Sequence, residues 1–245
     1  MKTIKTMTPH ASRLMHRAPR NALNSQLSTL NHLRAFTLIE LLVVMAVISL
    51  LAAMVIPITG AVSRNKLRAR AKTELANITL AIETYKTKLG HYPPDNPGPR
   101  VLFINQLYFE LLGTTNDGTF YRTLDQSAQV RIADVPTLFG PSVSGFVNCS
   151  RPGAGDESRR ATPFLKALKP GQYADVSNTR ILTTSVPPPP PYPFPSDQTI
   201  NPIRYNSSSP TNNPNSYDLW VDILIAGKTN RICNWSKEPL INPGN

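Results

Sequence analysis

Few side chains in this sequence are placed to do chemistry, and one stands out because its surroundings are wrong for it. Glu40 is the only charged residue in the 21-residue run Phe36–Ile56, which is otherwise almost wholly apolar. A carboxylate in such a run is costly to desolvate and is generally kept for a purpose, namely to offer an anion to a partner that is itself buried. The bland alternative is a charge resting at a membrane interface. His91 has no carboxylate, cysteine or second histidine at ligand or general-base spacing, so it reads as a surface turn residue. The other histidines, His10, His16 and His32, all precede the apolar run. Cys149 and Cys233 are 84 positions apart, which matches no metal-ligand spacing, and either a disulfide or two free thiols is open. No nucleophile elbow, phosphate-binding glycine loop or metal-ligand cluster is present. That argues against an enzyme, and no cofactor or metal is expected.

The elements that must position Glu40 follow from length and charge. At about 1.5 Å per residue, the run Phe36–Ile56 forms a helix of about 30 Å, the thickness of a bilayer's hydrocarbon core. A cleaved secretory signal has an apolar region of only about 7–15 residues. Residues 1–35 carry Lys2, Lys5, Arg13, Arg17, Arg20 and Arg34 and no Asp or Glu. The positive-inside rule therefore keeps that end in the cytoplasm and sends everything after Pro57 across. A second basic cluster, Arg64, Lys66, Arg68, Arg70 and Lys72, follows the run, where basic residues meet lipid headgroups or neighbouring subunits. The formal charge of +11 invites a nucleic-acid reading. Six of those charges lie in residues 1–35, however, and the rest are scattered apart from that cluster, so no nucleic-acid partner is expected.

The string Arg34-Ala35-Phe36-Thr37-Leu38-Ile39-Glu40-Leu41-Leu42-Val43-Val44 resembles the processing site of prepilins, the family of type IV pilins and type II secretion pseudopilins. The resemblance implies that residues 1–35 are a leader, with Met1, Met7 or Met15 as its start. A prepilin peptidase would remove it by cutting between Ala35 and Phe36, and would N-methylate Phe36. Ala35 stands where the family usually has glycine. Glu40 becomes the fifth residue of the mature chain, placed to pair the new amine of Phe36 on an adjacent subunit. Pro57 stands where pilin helices bend, since it removes one helical hydrogen bond.

Beyond Gly60, apolar or small residues recur at Leu67, Ala71, Leu75, Ile78, Ile82, Tyr85 and Leu89, one face of an α-helix. Arg68, Lys72, Glu74, Asn77, Glu83 and Lys86 fall between them as a polar face. Gly90 caps the helix and Pro93-Pro94 prevents its continuation. The spacing predicts a further short helix over 101–112 and strands at 119–124, 129–133 and 144–149, with a polar loop at 150–160. Five consecutive prolines, Pro187–Pro191, predict a polyproline II segment, and an Asn/Ser/Pro-rich loop continues it to residue 216.

The turn Gly90-His91-Tyr92-Pro93 is similar to that of pseudopilins, and the ending Tyr217-Asp218-Leu219…Asn234-Trp235 to the major (G-type) pseudopilin. In that group an acidic loop between those motifs can bind calcium. Here Ile223–Arg231 has one glycine and no Asp or Glu, so the site is expected to be lost, Asp218 and Asp222 alone being too few ligands. A β-hairpin whose tryptophans fill the core is expected instead. The fold implied is α+β and pilin-like, a long N-terminal helix packed on a small antiparallel sheet. Residues 36–57 form its membrane or filament-core half and 58–90 its amphipathic half. Residues 91–245 form a periplasmic head with a proline-rich insertion at about 186–216.

The resemblance implies a structural subunit of a type II secretion pseudopilus. It would sit in the inner membrane by a single pass, with prepilin peptidase, an inner-membrane assembly platform and other pseudopilins as partners in a homo-oligomeric filament. A type IV pilin serving adhesion, twitching or DNA uptake is the alternative, and a membrane-tethered periplasmic enzyme a distant third.

Overall fold

The computed structural model describes residues 37–96, 103–150, 160–166 and 168–243, with the side chains of 54–61 outside the description. Ala35, Phe36 and the leader fall outside it, as does most of the expected loop at 150–160. The fold is mixed α+β. Helix α1 spans Leu38–Leu89. The chain divides between Ala53 and Met54 into two compact units, each described here by itself.

In the first unit, every described residue of α1 is exposed. In the second unit α1 buries a single stripe, Ala71, Leu75, Ile78, Ala81, Ile82 and Tyr85, with Leu67 and Leu89 half-buried at its ends. This is the face that the 3.6-residue period of the sequence marks out, with Ala81 added. Gly90, at φ 85°, ends the helix in the left-handed region that an L residue resists.

Around that stripe lie helix α2 (Leu107–Leu112) and strands β1 (Thr114–Asn116), β2 (Phe120–Thr123) and β3 (Gln129–Arg131). Helix α3 (Val135–Phe139) and strands β4 (Cys149–Ser150), β5 (Tyr173–Val176), β6 (Thr179–Thr184), β7 (Asn201–Pro202) and β8 (Arg204–Asn206) follow. The last elements are β9 (Asp218–Ile225), β10 (Lys228–Cys233) and β11 (Leu240–Ile241). Among the described residues they pair into three sheets, ordered β3-β2-β1-β4, β5-β6-β7 and β11-β10-β9-β8, rather than the single small sheet expected. All pairs are antiparallel except β1–β4.

Three local departures from the sequence reading have physical causes. The helix expected over 101–112 begins at Leu107, where the Asn105 side chain accepts the Leu107 N–H at 3.2 Å. Residues 101–102 lie outside the description. The strand expected at 144–149 shrinks to Cys149–Ser150, because the N–H groups of Val147 and Asn148 donate to the Glu110 carboxylate instead of to a neighbouring strand. The loop expected through residue 216 is interrupted by β7 and β8, where Asn201, Tyr205 and the intervening Ile203 are buried. Pro188 and Pro189 of the proline run are buried as well.

Ile223–Arg231 is not a loop but the heart of the β9–β10 hairpin. Ala226 and Gly227 at its tip both have positive φ, 51° and 74°, the type I′ geometry that matches the twist of paired strands. Leu219, Val221, Ile223 and Ile225 alternate inward. The tryptophans do not fill the core. Trp220 and Trp235 are half-buried and meet edge to face, 5.9 Å apart, while the large core side chains are Tyr85, Tyr108, Tyr205, Tyr217, Phe109 and Phe139.

Gly113, after α2, takes φ 71° and ψ 151°, a combination essentially restricted to glycine. A Cβ there would lie 2.9 Å from Leu124 Cδ1 and 3.1 Å from the Thr162 carbonyl oxygen. Gly113→Ala is expected to destabilise the head by about 2 kcal/mol or more. Thermal or urea unfolding against the unchanged chain measures it, and an unchanged midpoint contradicts this packing.

Candidate functional site

Glu40 begins as a local capping residue. Thr37 is the last non-helical residue before α1, and its hydroxyl oxygen accepts the Glu40 N–H at 3.2 Å. The Glu40 carboxylate in turn accepts the Thr37 N–H at 2.9 Å and its hydroxyl at 2.8 Å. This reciprocal arrangement is a capping box, which satisfies donors that a helix start leaves unpaired. One carboxylate oxygen, Oε2, takes both Thr37 donors, so Oε1 keeps its acceptor capacity toward a further partner. The apolar side chains that follow are broadly exposed, Leu38 at 80% and Leu50 at 61%. A helix apolar on all sides, and covered by none of the described residues, is suited to being covered by lipid or by other helices.

The sequence-marked site residues are not gathered in one place. Phe36 and Ala35 lie outside the described residues; the backbone at Pro57 lies within α1, and its side chain is outside the description. His91 is exposed in the turn after α1, its Nδ1 2.9 Å from the Tyr92 carbonyl. Cys149 on β4 and Cys233 on β10 belong to different sheets, and no disulfide joins them in the structure. Burial pushes the Cys233 thiol's pKa up, toward the inert neutral form.

The two aspartates expected to be insufficient for calcium have other partners. Asp218 accepts the N–H groups of Thr211, Asn212 and Asn213 at 2.8–2.9 Å and so shapes the loop before β9. Asp222 takes a two-pronged grip from Arg231, at 2.8 and 3.0 Å, with Arg204 3.8 Å away.

The carboxylates that matter most inside the head escaped the sequence reading. Glu74, placed there on the polar face of α1, is buried; it accepts the Thr184 hydroxyl at 2.6 Å and the Ser185 N–H at 3.0 Å, and also meets the Ser185 hydroxyl. It ties α1 to the end of β6. Glu110 in α2 is fully buried. Its Oε1 accepts the Val147 N–H at 2.8 Å; its Oε2 accepts the Asn148 N–H at 2.9 Å and the Tyr85 hydroxyl at 3.0 Å. The Asn148 side chain returns a bond to the Glu110 carbonyl at 2.7 Å. Helix α1, helix α2 and the approach to β4 are thus joined through one acid. A glutamate inside the apolar string Leu107-Tyr108-Phe109-Glu110-Leu111-Leu112 was the available signal.

Residues 31–56 match the family model for the prokaryotic N-terminal methylation motif. That motif marks pilin-like precursors processed by prepilin peptidase at the membrane, a structural and non-enzymatic group. The match takes in Ala35, Phe36, Thr37 and Glu40 and ends at Ile56, so the head lies beyond it. No curated protein and no solved structure matches the chain. Among the described residues no helix is long and apolar enough to cross a membrane, and no group of histidine, cysteine and acidic residues could hold a metal ion. The apolar run Phe36–Ile56 extends past the described side chains at both ends.

Burial raises the pKa of Glu110 above the ordinary carboxyl value of 4.5, against the opposing pull of its backbone donors and Tyr85. A carboxyl whose pKa is higher folded than unfolded binds its proton more tightly in the native state. Stability is then greatest below 4.5 and falls as the pH rises through the folded value. Glu110→Gln removes this slope but places an amide N–H against backbone donors, at a cost of about 1–3 kcal/mol. Denaturant unfolding from pH 4 to 8 is expected to show a shallower decline in the variant than in the unchanged chain. Parallel declines would contradict the role given to Glu110.

Proposed function

We propose that the chain is a structural filament subunit with a pilin-like fold, built into a type II secretion pseudopilus. The single observation that carries the reading is the pairing of the N-terminal methylation motif with an apolar helix that the described residues leave bare. The leader, residues 1–35, is removed between Ala35 and Phe36 and the new terminus methylated. The run Phe36–Ile56 anchors the subunit in the inner membrane, with residues 91–245 on the periplasmic side. Other subunits then cover the same run in the filament. The turn Gly90-His91-Tyr92-Pro93 and the ending Tyr217-Asp218-Leu219…Asn234-Trp235 favour the pseudopilus over a type IV pilus.

The physics of assembly centres on Glu40. Cleavage creates an amine inside an apolar bundle, where a cation without a partner is expensive, and a neighbouring carboxylate offsets that cost. The capping box leaves Glu40 Oε1 for that task while Oε2 holds Thr37. Prepilin peptidase, the inner-membrane assembly platform and companion pseudopilins are the partners this requires.

Glu40→Gln separates the two roles, because glutamine also serves in a capping box but carries no charge. The variant is expected to stay in the membrane and be cleaved, yet to be lost from sheared or detergent-extracted filaments at least about tenfold, which one misplaced buried charge accounts for. Full assembly of the variant contradicts the charge role. Deleting the chain's gene is expected to stop export of secreted proteins while twitching and DNA uptake continue. The reverse pattern would assign it to a type IV pilus.

A further inference from the structure

The head carries a compact face of cations and exposed apolar side chains that the filament reading does not use. Arg64 and Lys66 are exposed on α1, one turn after Val62, which is 58% exposed. Contacts farther along the helix show what lies beside them. Arg68 Nη2 donates to Asn230 Oδ1 at 3.0 Å, and Lys72 Nζ donates to the Lys237 carbonyl at 2.9 Å. Residue numbers rise together along α1 and along β10 with the segment that follows it, so the two run in the same sense. The start of β10, and with it the tip Ala226-Gly227-Lys228, lies toward the Arg64 end of the helix. Lys228 is exposed and pairs with Ile225, on the side of the hairpin that faces α1. Ile241, paired with Asn230, adds a side chain 57% exposed.

No aspartate or glutamate occurs in residues 57–73, 223–231 or 239–245. The face therefore has three outward cations, two outward aliphatic side chains and no neutralising acid from the segments that build it. Val62 follows Ile56, the last residue of the apolar run, by only six positions. This mixture suits a boundary between anionic headgroups and acyl chains, where basic residues meet phosphate and aliphatic ones enter the interface. A second copy of the chain is a poor fit, since it would bring the same cations against themselves.

We propose that Arg64, Lys66 and Lys228, with Val62 and Ile241, form a docking face for anionic phospholipid, which holds the head against the membrane before the subunit enters a filament. The inference rests on the membrane-anchored reading given above. Each cation near an anionic surface favours the docked state by about fivefold.

The test is hydrogen exchange on the full mature chain held one copy per nanodisc, in discs of phosphatidylglycerol or of phosphatidylcholine. Exchange over residues 223–230 is expected to be at least about tenfold slower in the anionic discs, with the gap closing at high salt, where surface attraction is screened. In the R64E/K66E/K228E variant the gap is expected to vanish, with exchange at the buried helix residues Ile82 and Tyr85 unchanged, which certifies the fold. Equal exchange in both lipids, or a gap that survives in the variant, overturns the docking face while leaving the anchor standing. Protection that appears only in discs holding two copies assigns the face to a protein contact and overturns the lipid assignment. A chain that enters neither disc overturns the membrane-anchored reading and the docking face with it.

Discussion

The head depends on one constraint: its sheets are too small to stand alone and must share the buried stripe of α1. Strands of two to eight residues in sheets of three or four bury little apolar surface by themselves. Ile78, Ile82 and Tyr85 supply the common wall. Burying one such side chain contributes about 1.5–3 kcal/mol. Two buried acids then fix how the pieces meet that wall. Glu74 grips the end of β6 and Glu110 grips the segment before β4, each from a helix and each with its carboxylate saturated by donors. An unsatisfied carboxylate at either place would be costly, which makes the arrangement specific as well as cohesive.

The two ends of α1 answer to different solvents. Residues from Ala71 to Tyr85 bury one face against their own chain, whereas the described residues before Met54 bury nothing. A helix apolar on every side is unfit for water, and the methylation motif at its head supplies the context in which it makes sense. Under the proposed function one segment solves two problems: lipid covers the run first, and neighbouring helices cover it later. The capping box at Thr37 and Glu40 gives α1 a defined start and holds the acid in a fixed place relative to it.

How much of this could be read from the sequence varied with the range of the interactions involved. The stripe from Leu67 to Leu89 was plain, because helical periodicity is local and seven positions repeat it. The processing motif was plain as well, being contiguous. Glu74 was misplaced on the polar face because its partners, Thr184 and Ser185, stand about 110 positions away and leave no local trace. The strand expected at 144–149 failed for a related reason: its backbone donors are claimed by Glu110, nearly 40 residues earlier. The tryptophans of the C-terminal hairpin were placed inward by size alone, yet the β9 register points Trp220 outward beside Arg231. Asn201 and Tyr205 sat in a stretch whose composition reads as loop, and only pairing with β6 and β9 makes strands of it.

The central claim is that the chain matures at Phe36 to become a filament subunit. Intact mass measurement of the protein purified from membranes, with fragmentation of its N-terminal peptide, tests this most directly. The account predicts a chain that begins at Phe36 and carries one methyl group on its amine. A chain that begins at Met1, Met7 or Met15, or one cut after residue 57, would contradict it.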